Sequence, residues 1–326
     1  MIKRNKLNVL VTGGLGILGN ELIYLLTKEK NLQIFIIDYN KKKKRLKNSK
    51  FDKKKINFIN GDFRNYKKIK NIIFKKKINI IFHLGAVTQV IDAYKSPIKT
   101  FDTNIFGTIN ILETVRQLNK KIIIIYSSSD KAYGKLLDRS YLENHPLHGD
   151  FPYDVSKSAS DLIAQSYSKT YNLRIGIIRS GNLYGPGDYN LERLIPGLIV
   201  NSLKNKKTII RSNGKLIRDY IYVKDAAKAY LKLMKKMIVS KKRLHIYNIG
   251  SNINMSVMEI VKRILFLLKK NLKPIIKNNS KIEIKKQKLN YNKAKSHLNW
   301  FPDSNLNKSL IETIDWYKKN KNYFKY

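Results

Sequence analysis

Tyr153 and Lys157 frame the segment Tyr153-Asp154-Val155-Ser156-Lys157, a spacing that puts both side chains on one face of a helix. A free phenol titrates at about 10 and is a poor base at neutral pH. An ammonium beside it favours the phenolate, which could then take the proton of a substrate hydroxyl. Tyr and Lys recur at this spacing by chance, so the pair gains its weight from its company. Upstream, Tyr126-Ser127-Ser128-Ser129 closes an apolar run and offers hydroxyls where a strand would end. Directly after it stand Asp130 and Lys131, an acid and a base side by side. In an ordinary loop such a pair would be a surface ion pair.

A second constellation is Thr12-Gly13-Gly14-Leu15-Gly16-Ile17-Leu18-Gly19, which follows the apolar run Leu7–Val11 and opens a helical pattern. Such a turn must reverse tightly, bring backbone N–H groups up to a pyrophosphate and let the helix pack closely on the strand. Glycine meets all three demands, and the helix start adds positive potential for the anion. Asp38 ends the next apolar run, at the offset of about 20 residues expected of a carboxylate on the adenosine ribose. That charge would repel a 2′-phosphate, which predicts NAD over NADP. Lys41–Lys44, just beyond, are long enough to reach such a phosphate. A nicotinamide ring would add its positive charge to that of Lys157 in favouring the Tyr153 phenolate.

These groups need a scaffold, and the first half supplies one. Apolar runs Leu7–Val11, Gln33–Ile37, Ile56–Ile59, Asn79–Phe82, Lys121–Tyr126 and Arg174–Ile178 alternate with helical patterns. The helical patterns are Ile17–Lys28, Tyr66–Lys75, Thr103–Leu118 and Tyr153–Tyr171. That alternation predicts βαβ units and an α/β fold, a Rossmann-type doubly wound parallel sheet. The runs do not alternate with polar residues, as fits strands covered on both faces. After Arg179 the order loosens, and Gly181, Gly185, Pro186 and Gly187 mark a loop region. We therefore expect residues 1–180 to bind the dinucleotide and 181–326 to form mainly a substrate lobe. Strand His245–Ile249 is expected to return to the first sheet. Leu306, Leu310, Ile314 and Tyr317 mark a final amphipathic helix.

Composition sets further bounds. The 326 residues are 43% hydrophobic, enough for a sizeable core, and no apolar stretch has the length of a membrane span. Leu7–Val11 follows a basic start but is too short for a signal peptide. Absence of cysteine excludes disulfides and thiolate metal sites, and the five histidines show no ligand spacing, so no metal is expected. A cytoplasmic protein is the simplest reading. The formal net charge of +43 would suit a nucleic-acid binder. Its excess is nearly all Lys, however, accompanied by abundant Ile and Asn, three types that share A/T-rich codons. The run Lys41–Lys50 reads as a solvated loop, and we expect neither a specific nucleic acid nor a membrane as partner.

The spacing Gly13-x-x-Gly16-x-x-Gly19 resembles the extended short-chain dehydrogenase/reductase family, whose members are mostly nucleotide-sugar epimerases and dehydratases. Gly61-Asp62, His83-Leu84-Gly85-Ala86, and Asn104 with Gly107-Thr108-Ile109-Asn110-Ile111-Leu112 continue the match. Tyr247-Asn248-Ile249-Gly250 and Leu298-Asn299-Trp300-Phe301-Pro302 carry it to the end, so it covers essentially the whole chain. Gly85 departs from the usual alanine. The resemblance implies NAD held by Gly13, Gly16, Ile17, Leu18, Gly19 and Asp38. It places Asp62 by the adenine amine with Phe63 beside it, and lays Leu84, Ala86, Asn104, Tyr153 and Lys157 along the cofactor. Ser129 becomes the hydroxyl that bonds the reacting sugar oxygen. Asn182 and Arg218 would hold the substrate diphosphate, with Arg193 and Arg211 as further candidates. A homodimer is implied through the helices after Asn104 and around Tyr153, which carry Ile109, Leu112, Val115, Leu162 and Ile163.

Within that family Asp130-Lys131 is the informative pair. Simple 4-epimerases usually have small or neutral residues there, whereas 4,6-dehydratases carry an acid followed by a base. The Asp-Lys form most resembles CDP-glucose 4,6-dehydratases. Once C4 is a ketone, a base can take the acidified C5 proton, and an acid must protonate the C6 hydroxyl before it leaves as water. This assigns Asp130 as the acid and Lys131 as the base, which burial and Lys157 would help to keep neutral. Two alternatives stay open: a 4-epimerase with an idle Asp130-Lys131 loop, and a basic binding protein that kept the fold without turnover.

Overall fold

A computed structural model describes residues 6–39, 45–46, 49–135, 140–251, 253–279 and 284–324. Lys41–Lys44 lie outside the described residues. The six apolar runs become β1 (Leu7–Thr12), β2 (Leu32–Asp38), β3 (Ile56–Asn60), β4 (Ile80–His83), β5 (Ile123–Ser129) and β6 (Arg174–Ser180). Helices α1 (Ile17–Lys28), α2 (Tyr66–Lys75), α3 (Val90–Lys95), α4 (Pro97–Phe101), α5 (Gly107–Leu118) and α6 (Pro152–Tyr171) run between them. The second half holds β7 (Asn182–Tyr184), β8 (Ile209–Ile210), β9 (Ile217–Tyr222), β10 (Leu244–Ile249), β11 (Asn254–Ser256) and β12 (Ile275–Ile276). Its helices are α7 (Leu194–Leu203), α8 (Val223–Val239), α9 (Val257–Leu267), α10 (Asn292–Leu298) and α11 (Leu306–Lys319).

The main sheet is parallel, ordered β10-β6-β5-β4-β1-β2-β3, so the expected doubly wound fold is borne out. The crevice at the switch between β1 and β4 is where such sheets bind ligands. Period-two alternation accounts for the apolar strands. Val9, Val11, Ile34, Ile36, Ile80, Phe82, Ile123 and Ile125 enter the core beneath α1 and α8. Leu10, Phe35, Ile37, Ile81, Ile124, Ile175 and Ile177 enter the opposite core, with α2, α5 and α6. Strand β10 pairs with β6 from Leu244↔Ile175 to Ile249↔Ser180, after the chain has left to build β7 and β9. Leu310, Ile314 and Tyr317 of α11 close the first core.

The pattern Thr103–Leu118 does not form one helix. A π-helical turn, Asp102–Phe106, separates α4 from α5. Asn104 sits in that turn with its amide tied to neighbours: Nδ2 donates to Val87 O (3.0 Å) and Ser156 Oγ (2.9 Å), and Oδ1 accepts from Val87 N (2.8 Å). The widened turn seats Asn104 between the β4 loop and α6, a local adjustment common near functional sites. Helix α6 begins with Pro152, where a missing N–H costs nothing, and ends at Asn172 in the left-handed region (φ 62°).

His83 ties β4 to its surroundings. Nδ1 pairs with Thr12 Oγ1 at 2.8 Å and Nε2 with Thr108 Oγ1 at 3.1 Å. Thr12 Oγ1 also accepts from Gly85 N (3.1 Å), and Thr108 Oγ1 donates to Asn104 O (2.6 Å). One proton per hydroxyl then makes His83 neutral with its hydrogen on Nε2. Burial, aided by the Lys157 charge, lowers its pKa from 6.5 to about 3. The unfolded chain binds the proton more readily, so this contribution is complete above the unfolded value and is lost as pH falls towards the folded one. Urea unfolding should weaken between about pH 6.5 and about pH 4 by up to ~1.4 kcal/mol per unit from this group. His83→Gln should flatten that slope while lowering stability at neutral pH; an unchanged slope would remove His83 as its source.

Candidate active site

The turn after β1 is built at backbone contact. Gly13 has φ +66°, and a Cβ there would lie 2.8 Å from Gly85 Cα. A Cβ on Gly19 would lie 2.6 Å from Gly14 Cα, so α1 crosses the turn with no room for a side chain. Gly16 is the N-cap of α1 without a side-chain cap, and the first turn carries no acid. The first-turn amides, including those of Ile17 and Leu18, therefore face outward as an anion cradle while both side chains are buried. Asp38 is buried at the end of β2; its Oδ2 accepts from Leu15 N (3.1 Å) and its Oδ1 from Tyr39 N (2.8 Å). The carboxylate is thus held against the glycine loop. Asp62 accepts from Arg64 Nε (2.9 Å) and Tyr39 Oη (3.1 Å), and these partners hold its carboxyl below the usual range despite the cost of burial. The Phe63 ring packs under Gly85 and Gly107 and meets His83 edge-on at 5.1 Å. Together these features fit a pyrophosphate-linked dinucleotide.

Strand β5 and helix α6 supply the reactive groups. Lys157 Nζ donates to Ser127 O (2.9 Å), and burial pulls its pKa down to about 8. Burial pushes the Tyr153 phenol up to about 12, while the nearby Ser129 hydroxyl and the Arg193 charge pull back. Lys157 was expected to draw the phenol down; burial pushes it up instead. Beyond β5 a short 3₁₀ turn, Asp130–Tyr133, carries the expected acid and base. Ser129 Oγ accepts from Lys131 N (3.2 Å) and donates to Asp130 Oδ1 (3.0 Å). Asp130 is 1% exposed, its Oδ2 is buried without a hydrogen-bond partner, and burial raises its pKa against the pull of Lys131. Among the described residues, Lys131 and Lys157 are the only buried lysines.

A cavity of about 960 Å³ brings much of this together. Leu84 and Ala86 line one side, Ser129, Lys131, Tyr153 and Lys157 the floor, and Asn182, Arg193, Arg211 and Arg218 the far wall. Asp130 does not line it but bonds Ser129, which does, and Phe63 and Asn104 lie outside the lining. Arg218 is buried, with Nη1 donating to Ile217 O (3.0 Å) and Ile284 O (2.7 Å). Arg193 bridges Asp188 and Thr88, at 3.1 Å each. Arg211 pairs with Glu192 at the outer rim.

The family model for GDP-mannose 4,6 dehydratase matches residues 10–313. The chain belongs to that family. This bears out the resemblance to extended short-chain dehydrogenases. A dTDP-D-glucose 4,6-dehydratase of Dictyostelium discoideum is 34% identical over 79% of this chain, which spans only 61% of that relative. The dTDP-D-glucose 4,6-dehydratase of Homo sapiens is 30% identical over 96% of this chain and 90% of its own length. Among solved structures, a dTDP-glucose 4,6-dehydratase from Bacillus anthracis in complex with NAD superposes with a TM-score of 0.85. It is 29% identical and covers 98% of this chain and 99% of its own.

In this dehydratase-family chain, three buried polar residues around the floor went unnoticed in the sequence. Gln287 Oε1 accepts from Lys131 Nζ at 3.2 Å, from a segment 156 residues away. Asp154 is buried next to Tyr153 and pushed up to about 6 by burial, with Lys131 opposing. Asp219 accepts from Ser251 N (2.7 Å), Ser251 Oγ (2.9 Å) and Leu289 N (3.2 Å), pinning the segments behind Arg218. Asp154 and Asp219 had a local signal, their places beside Tyr153 and Arg218; Gln287 had none.

The Asp38 geometry generates a cofactor test. NAD should bind more tightly than NADP by about tenfold or more, the effect of one unfavourable charge contact of ~1.4 kcal/mol. Asp38→Ala should narrow the gap in fluorescence titrations of both dinucleotides. Equal affinities in the unaltered protein would exclude the carboxylate from the ribose.

Proposed function

We propose that this chain is an NAD-dependent nucleotide-sugar 4,6-dehydratase, forming a 4-keto-6-deoxy sugar from a nucleoside-diphosphate hexose. The observation that carries this reading is the buried acid–base pair Asp130 and Lys131, both bonded to Ser129, with Ser129, Lys131 and Tyr153 lining one cavity. Its named relatives, dTDP-glucose 4,6-dehydratases, support the same chemistry. Gly13, Gly16, Ile17, Leu18, Gly19, Asp38, Asp62, Leu84 and Ala86 would hold NAD, with Phe63 and Asn104 supporting the loops from behind. Bound there, NAD would supply a reversible hydride acceptor and a positively charged ring.

Tyr153 takes the O4 proton; Lys157, Arg193 and Ser129 help the phenolate against the burial that opposes it. Lys131 takes the C5 proton, made acidic by the neighbouring ketone. Asp130, held towards its protonated form by burial, protonates the departing C6 oxygen. Arg218 and Arg193, with Asn182, would clamp the diphosphate, since guanidinium forks suit such anions. Residues 1–180 form the dinucleotide domain in this reading and 181–326 mainly the substrate lobe, with β10 shared. Absence of cysteine supports a cytoplasmic setting. Among the described residues, no helix is long and apolar enough to cross a membrane.

The unaltered enzyme should release a sugar nucleotide one water lighter, without net accumulation of reduced cofactor. Lys131→Ala should retain reduced-nicotinamide fluorescence and a 4-keto sugar, slowing water loss by about a hundredfold to ten-thousandfold. Tyr153→Phe should give no such fluorescence. Products equal in mass to every hexose substrate tested would reject the dehydratase and leave the 4-epimerase.

We further propose a homodimer through α5 and α6. Leu112 and Val115, expected at that interface, lie instead in the chain's own core. Phe106 and Leu162, which are 59% and 51% exposed, remain to meet a second copy. Leu162→Asp should shift sedimentation from dimer to monomer at micromolar concentration; a monomer before substitution would end the proposal.

A further inference from the structure

Gln287 sits in a stretch of chain that is stitched down on two sides. Its N–H donates to Ile217 O (3.2 Å), a carbonyl that also accepts from Arg218 Nη1 (3.0 Å). Ile284 O takes a second bond from the same Arg218 nitrogen (2.7 Å), and Leu289 N donates to Asp219 Oδ2 (3.2 Å). On the other side Tyr141 N donates to Lys288 O (2.8 Å), and Asn290 N to Tyr141 O (3.0 Å). The Tyr141 ring stacks on Tyr133, in the turn that carries Asp130 and Lys131, with centroids 4.7 Å apart. Backbone bonds therefore fix Gln287 between β9 and that turn.

Its side chain is 0% exposed and uses only one end. Oε1 accepts from Lys131 Nζ at 3.2 Å, while Nε2 is buried with no hydrogen-bond partner among the described residues. A buried donor left in that state costs about 1–3 kcal/mol, which an amide kept for stability alone would not repay. The oxygen end has a specific merit beside a base. A neutral lysine amine has two N–H bonds and one lone pair; a carbonyl oxygen takes an N–H and cannot occupy the lone pair. Being uncharged, it also does not hold the lysine as an ammonium, as a carboxylate would. The acids that face Lys131 are Asp130 and Asp154; burial pushes both towards their neutral forms, and Arg218 acts on each.

We propose that Gln287 is a positioning residue for water loss: it anchors one N–H of Lys131 and keeps the amine's lone pair for the proton at C5. This rests on the dehydratase reading. In the step it serves, the C5–H bond breaks and an N–H bond forms on Lys131 Nζ, while the C–H electron pair enters the C4–C5 enolate. That pair then forms the C5–C6 double bond as the C6–O bond breaks, and the oxygen leaves as water with the Asp130 proton. Gln287 does not line the cavity, and it neither gains nor loses a proton. Because its stretch of chain also bonds Arg218, one support serves both the base and a proposed diphosphate ligand.

The test follows reduced-nicotinamide fluorescence and product mass in single turnovers of NAD-loaded protein with a nucleoside-diphosphate hexose that the unaltered enzyme dehydrates. Gln287→Glu keeps the shape and puts a carboxylate on Lys131. Water loss at neutral pH should slow by about a hundredfold or more while oxidation at C4 keeps its rate, so reduced nicotinamide and 4-keto sugar accumulate on the enzyme. The carboxylate holds the lysine proton, so water loss should rise with pH through a midpoint about one unit or more above that of the unaltered enzyme. Gln287→Met removes the acceptor at equal length and should slow water loss alone, by about tenfold to a hundredfold. An amide that merely supports the fold would slow oxidation and water loss in equal proportion. That proportional loss, an unchanged rate of water loss, or an unmoved midpoint in Gln287→Glu overturns the proposal. If Gln287→Glu does not fold, Gln287→Met decides by the same split between the two steps. An unaltered enzyme that releases no water from any hexose would defeat the dehydratase reading, and this role with it.

Discussion

Arg179 and Asp161 form a bidentate ion pair, Nε to Oδ2 and Nη2 to Oδ1 at 2.9 Å each, at 1% and 0% exposure. Arg179 lies on β6 and Asp161 on α6, two turns beyond Tyr153 and one beyond Lys157. The guanidinium also donates to Tyr133 Oη (2.8 Å), on the turn that carries Asp130 and Lys131, and to Glu143 O (3.0 Å). Tyr133 Oη in turn donates to Asn248 Oδ1 (2.7 Å) on β10. One pair therefore sets the helix bearing Tyr153 and Lys157, the turn bearing the acid and base, and the strand that returns from the second half. Removing one partner of such a buried pair typically costs 3–5 kcal/mol, because the other charge stays unpaired. A geometry this dependent on one contact explains how groups from β5, the turn after it and α6 meet at one floor.

Burial has a consistent chemical direction there. It favours neutral forms, raising Asp130, Tyr153 and Asp154 and lowering Lys157. For Asp130 that is the state an acid needs at neutral pH. For Tyr153 it opposes the phenolate that the proposed role as base requires. In the proposed mechanism the positive charge of bound cofactor would add to that of Arg193 in favouring the phenolate. A base that becomes strong only when its hydride acceptor is present cannot run ahead of it.

How much of this was legible in the residues follows from range. The glycine turn, Asp38 and the six strands are local patterns, and each stands where its period and spacing predicted. Tyr153 and Lys157 share a face because four residues is a helical distance. The π turn at Asp102–Phe106 was invisible, since it answers to the bonds of Asn104 with Val87 and Ser156, not to its own residues. Gln287 reaches Lys131 only through the fold. Leu112 and Val115 show the limit of periodicity, which marks an apolar face without saying whether its own core or a second chain covers it.

The charge of +43 looks different once burial is known. Lysine accumulates on the surface, where hydration makes its identity nearly free of consequence. The exceptions are Lys131 and Lys157, the only buried lysines among the described residues, and both lie on the cavity floor. The acids behave in the opposite way. Although the sequence holds only 23, Asp38, Asp130, Asp154, Asp161, Asp188, Asp219 and Asp225 are all buried. A buried charge without a partner is costly, so each persists where something specific satisfies or uses it. Asp161 has Arg179, Asp38 the glycine loop and Asp219 three donors, while Asp130 retains an unpartnered oxygen behind the cavity floor. A compositional trend towards lysine can therefore fill the exterior and add exposed Lys95, Lys207 and Lys277 to the cavity lining without adding a buried charge. The charges that matter are the few that hydration does not reach.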